Sequence, residues 1–431
     1  MKFRKLFQSD ILKGTLYTLG GKIVAMLLYM ALDIACARIL SPNDYAEWVF
    51  FYAVLTMMFY IGWCGINTSA KVFVSKESTQ EGVSRTIQAS FMLRSIASIL
   101  VSVILISIAF PLAKWLGYPD KYPSLYRLCI FAGLLVFLNS YTEFFKGLFM
   151  GLGDFKKLCG ITILEFSGYF WCSLFFLISL KRVEAITLGY ACSGIIVFLS
   201  GRACLKRIIG ASLLPRKTDK HLAIMKTIFK YAVPIAISSI GGMILVEMDT
   251  FMLGILSTKA QVANYGIAKN LCAKATHVNV ALIVGSMTSF SVLTVDNIKE
   301  KCSKLMKTSC LNILISAVVA GAFILLGSFM ITVLYGVKYS EAGTILKYLV
   351  PYYVMYAVST FFATFLDFQG KAKVKSICYC TVVILNLILN LMLIPKLGAT
   401  GAAIATSLSL VPYTILVLII TVSVIRKYAR Q

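Results

Sequence analysis

Charge is scarce in this chain, and acidic charge most of all. Asp, Glu, Lys and Arg make up 14% of 431 residues, with 18 acidic against 42 basic side chains and a net charge of +24. There are two histidines, His221 and His277, so a histidine-centred catalytic site or a zinc site has little to draw on. None of the twelve cysteines falls in a CxxC spacing. Spread singly through apolar segments, they read as small packing residues rather than a disulfide framework or metal cluster. No G-x-x-x-x-G-K-[ST] loop occurs, so ATP hydrolysis lacks its phosphate cradle and no cofactor is implied. Long polar stretches are missing as well, which leaves no room for a soluble catalytic domain between the hydrophobic runs.

The chain is instead 59% hydrophobic, with mean hydropathy +0.84. A soluble protein of this length does not have that composition. Twelve apolar runs recur, near 15–37, 45–68, 88–110, 125–148, 158–180, 185–203, 231–253, 261–289, 308–334, 343–366, 377–394 and 401–425. Each is close to the ~20 residues that cross a bilayer core as a helix. The first is too long for a signal peptide and no small-residue cleavage site follows it. The expected fold class is an all-α polytopic membrane protein of about twelve spans.

Basic residues orient it. With the amino terminus in the cytoplasm, the inner segments carry 29 Lys or Arg and the outer segments 10, which places both termini inside. Much of the positive charge is then topology signal and contact with anionic inner-leaflet lipid, and nucleic acid need not be invoked.

The sequence also repeats itself. Ile39, Leu40 and Ser41 recur as Ile255, Leu256 and Ser257, and the same offset of 216 carries Asp33 onto Asp249. Gly153 pairs with Gly370 in similar loops, and Ala185, Gly189 and Ala191 fall on Ala399, Ala403 and Ala405. A nearly constant offset of half the chain indicates an internal duplication. The expected domains are a six-helix lobe over 1–210, a basic cytoplasmic linker over 211–230, and a second six-helix lobe over 231–431. Six spans per half give both halves the same orientation, a parallel repeat of the kind that encloses a central site in transporters.

Ionisable groups inside the spans are the candidate functional residues, because each costs about 2.5–3.5 kcal/mol to insert. Lys22, Met26, Tyr29 and Asp33 share one face of the first helix, with cation and anion about 16 Å apart. Asn139, Glu143 and Lys146 share a face of the fourth, where Glu143 and Lys146 form either a self-neutralising pair or a substrate contact. Asn270, Lys274 and His277 repeat that spacing in the eighth. Arg94 and Lys71 lie near inner helix ends, Glu165 lies inside the fifth run, and Asn386 and Asn390 are one turn apart in the eleventh. Lys22, Arg94 and Lys274, with His277, Asn270 and Tyr29, are expected to bind an anionic substrate, phosphate above all. Asp33 and Asp249 are expected to couple transport to an ion, since a carboxylate moving between buried and cation-paired states can carry a proton.

The motifs carry a resemblance. RILSPNDYAEW (Arg38 to Trp48) resembles the L-S-P-x-x-Y-G turn between the first two helices of polysaccharide flippases, with Ala46 where glycine is usual. KYAVPIAISS (Lys230 to Ser239), MDTFMLG (Met248 to Gly254), YGVKYSEAG (Tyr335 to Gly343) and IPKLGATGAA (Ile394 to Ala403) resemble later segments of that family, in order. The superfamily also contains lipid II flippases and multidrug exporters. What the resemblance implies is a two-lobed, MATE-like bundle working by alternating access, not an enzyme. It would move an oligosaccharide on undecaprenyl pyrophosphate to the outer leaflet of the bacterial inner membrane, for O-antigen, capsule or related polysaccharide. Membrane lipids, a glycan polymerase and a chain-length regulator are the partners it implies. Three alternatives stand. A multidrug exporter of cations would want acidic residues to dominate the cavity, a lipid II flippase would carry two more carboxyl-terminal helices, and a membrane glycan-modifying enzyme would want a larger outer loop.

Overall fold

The computed structural model describes residues 2–210, 213, 219–286, 290 and 298–429. Every element longer than a single turn among them is an α-helix: α1 Lys2–Ile39, α2 Pro42–Trp63, α3 Ile66–Lys76, α4 Gln80–Ser107, α5 Ala109–Trp115, α6 Leu125–Gly151, α7 Phe155–Leu180, α8 Val183–Ile209, α9 Asp219–Leu256, α10 Lys259–Ser286, α11 Ile298–Tyr335, α12 Glu341–Phe368 and α13 Ala372–Ala429. With no water in a bilayer core, helices are how such a chain satisfies its own backbone.

Among the described residues, ten helices are long and apolar enough to cross a membrane. The predicted twelve runs all fall on helices or their direct continuations, apart from 287–289, which lie outside the described residues. The difference in number has two sources. The apolar residues of α10 are interrupted by Lys269, Asn270, Lys274 and His277, so it falls short on hydropathy. The last two runs follow one another with only a non-helical break at Gly398 (φ 58°) between them, so that α13 is two helices in series. Outward faces are apolar, as lipid requires: Ile96, Ile99, Leu100 and Val103 at i, i+3, i+4 and i+7 of α4, and Leu314, Val318, Leu325 and Phe329 of α11, are all exposed.

The chain divides into two compact units, Met1–Glu247 and Met248–Gln431. The predicted linker is helical from Asp219 onward; of its earlier part, 211–212 and 214–218 lie outside the described residues. In the first unit α6 is central, packing on α2, α3, α4, α7 and α8, while α1 lies along α7. In the second, α12 packs on α10, α11 and α13. Small residues allow the close approaches, as in other membrane bundles. A Cβ on Gly147 or Gly151 of α6 would meet the carbonyls of Asn67 and Lys71 of α3, at 2.8 and 2.6 Å. The repeat is visible in the elements themselves. Gly153 and Gly370 both take φ 71°, in the turns that precede α7 and α13.

Two local sequences explain how α2 is framed. Ser41 caps it by accepting from the Asp44 amide at 3.1 Å, with Pro42 in the first turn. Tyr45, one turn in, reaches back to Asp33 of α1 at 3.0 Å. Ala46 is completely buried, so a small residue is demanded there. At the other end Cys64 and Gly65 both adopt left-handed conformations (φ 48° and 67°) and break the span between α2 and α3. A Cβ on Gly65 would stand 2.2 Å from the Ala232 carbonyl oxygen. Gly65→Ala is therefore expected to destabilise the protein by about 2–4 kcal/mol. Gly153→Ala, with a similar φ but nothing within 4 Å, should cost only about 1 kcal/mol. Thermal unfolding of the two variants in detergent would expose equal losses if the Ala232 contact were unimportant.

Candidate functional site

The first unit holds a partly open cavity of about 200 Å³. Five helices supply its wall: α1 through Tyr29, α2 through Tyr52, Tyr60 and Trp63, α6 through Asn139, Glu143 and Lys146, α7 through Glu165, Phe166 and Tyr169, and α8 through Tyr190; Met243 of α9 closes it. Helical spacing explains the α6 contribution, since residues at i, i+4 and i+7 stand on one face.

Lys146 is the electrostatic centre. Its Nζ lies 2.6 Å from Glu143 Oε1 and 2.5 Å from Glu165 Oε2. Glu165 is almost fully buried, and its other oxygen accepts from Tyr169 Oη at 3.3 Å. The Ser193 hydroxyl donates to the Glu165 carbonyl at 2.9 Å and ties α8 to α7. Two carboxyl groups surround one ammonium. The helix pair considered in the sequence is thus one side of a three-membered group, and its ammonium is held by carboxylates rather than offered to phosphate.

The rest of the wall is mostly aromatic. Tyr169 and Tyr190 stack at 4.1 Å with planes 10° apart, Tyr60 and Trp63 lie 4.1 Å apart, and Tyr29 faces Tyr52 at 6.0 Å. Trp63 Nε1 donates to Asn139 Oδ1 at 2.8 Å. Ring faces beside carboxylate, amide and phenol groups present apolar planes and hydrogen-bonding edges together, the combination that a sugar ring, with its C–H faces and equatorial hydroxyls, can satisfy.

Of the residues singled out in the sequence, Tyr29, Asn139, Glu143, Lys146 and Glu165 line this cavity. Lys22, two turns earlier on α1, is exposed and not part of the wall. Arg94 has another task. It is fully buried, with Nη1 2.9 Å from the Trp63 carbonyl, Nη2 on the Gly62 carbonyl and Nε 2.9 Å from Ser98 Oγ. It satisfies the carbonyls freed where α2 breaks, so its guanidinium is engaged with the fold. Asn270, Lys274 and His277 belong to the second unit, the first two half-buried and the histidine exposed.

Asp33 and Asp249 are matched in structure as in sequence. Each is buried and each accepts from a tyrosine of the next helix, Tyr45 at 3.0 Å and Tyr265 at 3.1 Å. Asp249 also accepts from Asn386, Asn390 and Thr406. The asparagines of the eleventh run are thus interhelical hydrogen bonders, as their spacing allows, and their partner is a carboxylate. Sequence reasoning did not gather Tyr52, Tyr169 and Tyr190 into the site. The available signals were the shared polar face of Asn139, Glu143 and Lys146 in the fourth run, Glu165 in the fifth and Tyr29 in the first.

Residues 11–288 match the profile described as polysaccharide biosynthesis protein. Over 192 residues the chain is 26% identical to the probable low-salt glycan biosynthesis flippase Agl15 of Haloferax volcanii. That match covers 44% of this chain and 41% of the relative, less than half of its length. Solved structures share the architecture across nearly the whole chain. An inward-facing multidrug resistance MATE family transporter of the MOP superfamily superposes with a TM-score of 0.75 at 15% identity, covering 94% of this chain and 96% of that one. The lipid II flippase MurJ in an inward closed conformation gives 0.69 at 14%, covering 97% and 90%. A MOP superfamily transporter from Pyrococcus furiosus gives 0.64 at 15%, covering 97% and 96%. These establish a MATE-like polytopic fold.

Proposed function

The chain belongs to the polysaccharide biosynthesis protein family, and from that premise we propose that it is a flippase for a lipid-linked oligosaccharide. The cargo is a glycan on undecaprenyl pyrophosphate, moved from the inner to the outer leaflet of the cytoplasmic membrane for O-antigen, capsule or a related surface polysaccharide. Both termini face the cytoplasm in this reading, and a glycan polymerase and chain-length regulator take up the product.

The observation that carries it is the aromatic cavity around Glu143, Lys146 and Glu165. A hydrophilic head must cross hydrocarbon while its polyprenyl tail remains in lipid. A wall of rings, amides and carboxylates replaces water around sugar hydroxyls without offering a strong charge that would trap them. The pyrophosphate needs cations, and in the first unit Lys22 is the residue we assign to it. The multidrug-export alternative keeps one argument of its own, the two carboxyl groups around Lys146, and the test separates the two.

Purified protein in proteoliposomes is expected to move a fluorescent undecaprenyl-pyrophosphate oligosaccharide to the opposite leaflet. Trp63→Ala with Asn139→Ala should slow this about five- to thirtyfold, from the loss of one stacking plane and one polar group at about 1–2 kcal/mol together, while the protein stays folded. Export of cationic dyes with no movement of the glycan lipid would assign the chain to drug transport instead.

A further inference from the structure

We propose that the first unit binds one small monovalent anion, chloride in kind, at the amino-terminal end of α3, beside the Arg94 guanidinium and the Asn67 side chain. The site lies where α2 stops and α3 starts. Cys64 and Gly65 take left-handed conformations there. A glycine in the cap position has no side chain with which to cap the helix that follows.

A helix that begins in the interior must place its first amides somewhere. The Ser69 amide closes the first turn on the Gly65 carbonyl at 3.1 Å. Ahead of it, the amides of Ile66, Asn67 and Thr68 donate to no acceptor among the described residues. Ile66 and Asn67 are buried, at 1% and 8% exposure, so bulk water does not serve them. Asn67 brings a further donor. Its Oδ1 lies 3.4 Å from Arg94 Nη1, while its Nδ2 is buried and has no hydrogen-bond partner. Side chains in the first turn lean back over the amino-terminal end of their helix, so Nδ2 joins the same cluster. Arg94 adds one more. Ser98 Oγ, the Trp63 carbonyl, Asn67 Oδ1 and the Gly62 carbonyl take four of its N–H groups. The remaining one has only the Cys64 sulfur, a weak acceptor. Converging amide and guanidinium donors at a helix amino terminus are what an anion needs.

Charge fixes the valence. Arg94 is fully buried, and an arginine keeps its charge. Among the described residues no Asp or Glu forms an ion pair with it. The carbonyl end of α2 brings about half a negative charge and the amide end of α3 about half a positive one. These cancel, and the guanidinium charge is left in a low-dielectric interior. One monovalent anion neutralises it; a dianion would reverse it. Cys64 is half-buried and Thr68 exposed, which gives a small ion a way in beside the turn. Trp63, whose carbonyl Arg94 holds, lines the aromatic cavity, so the ion also steadies that wall. This use rests on the proposed flippase role; binding itself does not, and is measured without cargo.

The full-length protein in detergent is titrated with NaCl against sodium gluconate at constant ionic strength. Chloride is expected to raise Tm saturably, by about 2–4 °C. Crystals grown in bromide are expected to show an anomalous peak at the first turn of α3. Asn67→Asp sets a carboxylate of nearly the same shape among these donors, so it should lose the chloride response. Asn67→Ala removes a donor and should raise the half-saturating chloride at least about tenfold. Equal Tm in chloride and gluconate overturns the proposal, as does bromide bound elsewhere but not at α3. So does an unchanged chloride response in Asn67→Asp or, should that variant not fold, in Asn67→Ala. If chloride binds as expected but the glycan lipid does not move, the anion site stands and the flippase reading fails.

Discussion

Lys146→Ala is expected to destabilise the first unit by about 3–5 kcal/mol and to reduce glycan transport by at least about a hundredfold. Its ammonium lies between Glu143 and Glu165. Removing it leaves two carboxylates facing each other, one of them with a side chain only 3% exposed. Stranding a buried charge in this way carries the cost of its desolvation with nothing to offset it. The double variant Lys146→Met with Glu165→Gln removes one charge of each sign, so most of the stability should return. Transport should not, because the polar floor of the cavity is gone. Unfolding in detergent and flipping in proteoliposomes read the two effects separately. A Lys146→Ala protein as stable as the parent would show that the three groups do not associate.

Arg94→Ala is expected to cost a similar amount, about 3–5 kcal/mol, for a different reason. The span from α2 to α3 is broken by Cys64 and Gly65, and the last carbonyls of α2 have lost their helical partners. The guanidinium reaches Gly62 and Trp63 carbonyls and Ser98 together, and Asn67 Oδ1 at 3.4 Å. It also sits at the negative end of the helix dipole. Lysine has no fork and should restore no more than about half of the loss. The prediction differs in kind from the anion-binding role expected of Arg94 from sequence. A cavity cation would lose cargo affinity and keep its Tm. Thermal unfolding and glycan transport of Arg94→Lys decide it, and an unchanged Tm with transport abolished would return Arg94 to the cavity.

The legible part of this protein was its local chemistry. Helices were readable because runs of apolar residues of bilayer length have one satisfactory backbone conformation in lipid. The Leu-Ser-Pro turn was readable because Ser41 and Pro42 act within four residues of one another. The pairing of Asp33 with Asp249 was readable because a duplicated chain keeps its spacing. The break at Gly398, which separates the last two runs as two helices with no loop between them, was not.

Partners across helices were decided only by the tertiary structure. Lys146 finds Glu165 on a neighbouring helix, and Asp249 finds Asn386 and Thr406 at separations of 137 and 157 residues. In a soluble protein the apolar stripe of each helix would announce its inward face. Here lipid-facing and protein-facing sides are both apolar, so periodicity does not say which way a residue points. The sequence could name the charges that had to be inside the membrane. Packing alone determined that Arg94 serves a broken helix, that Lys146 is held by two carboxylates, and that Asp249 is ringed by neutral donors.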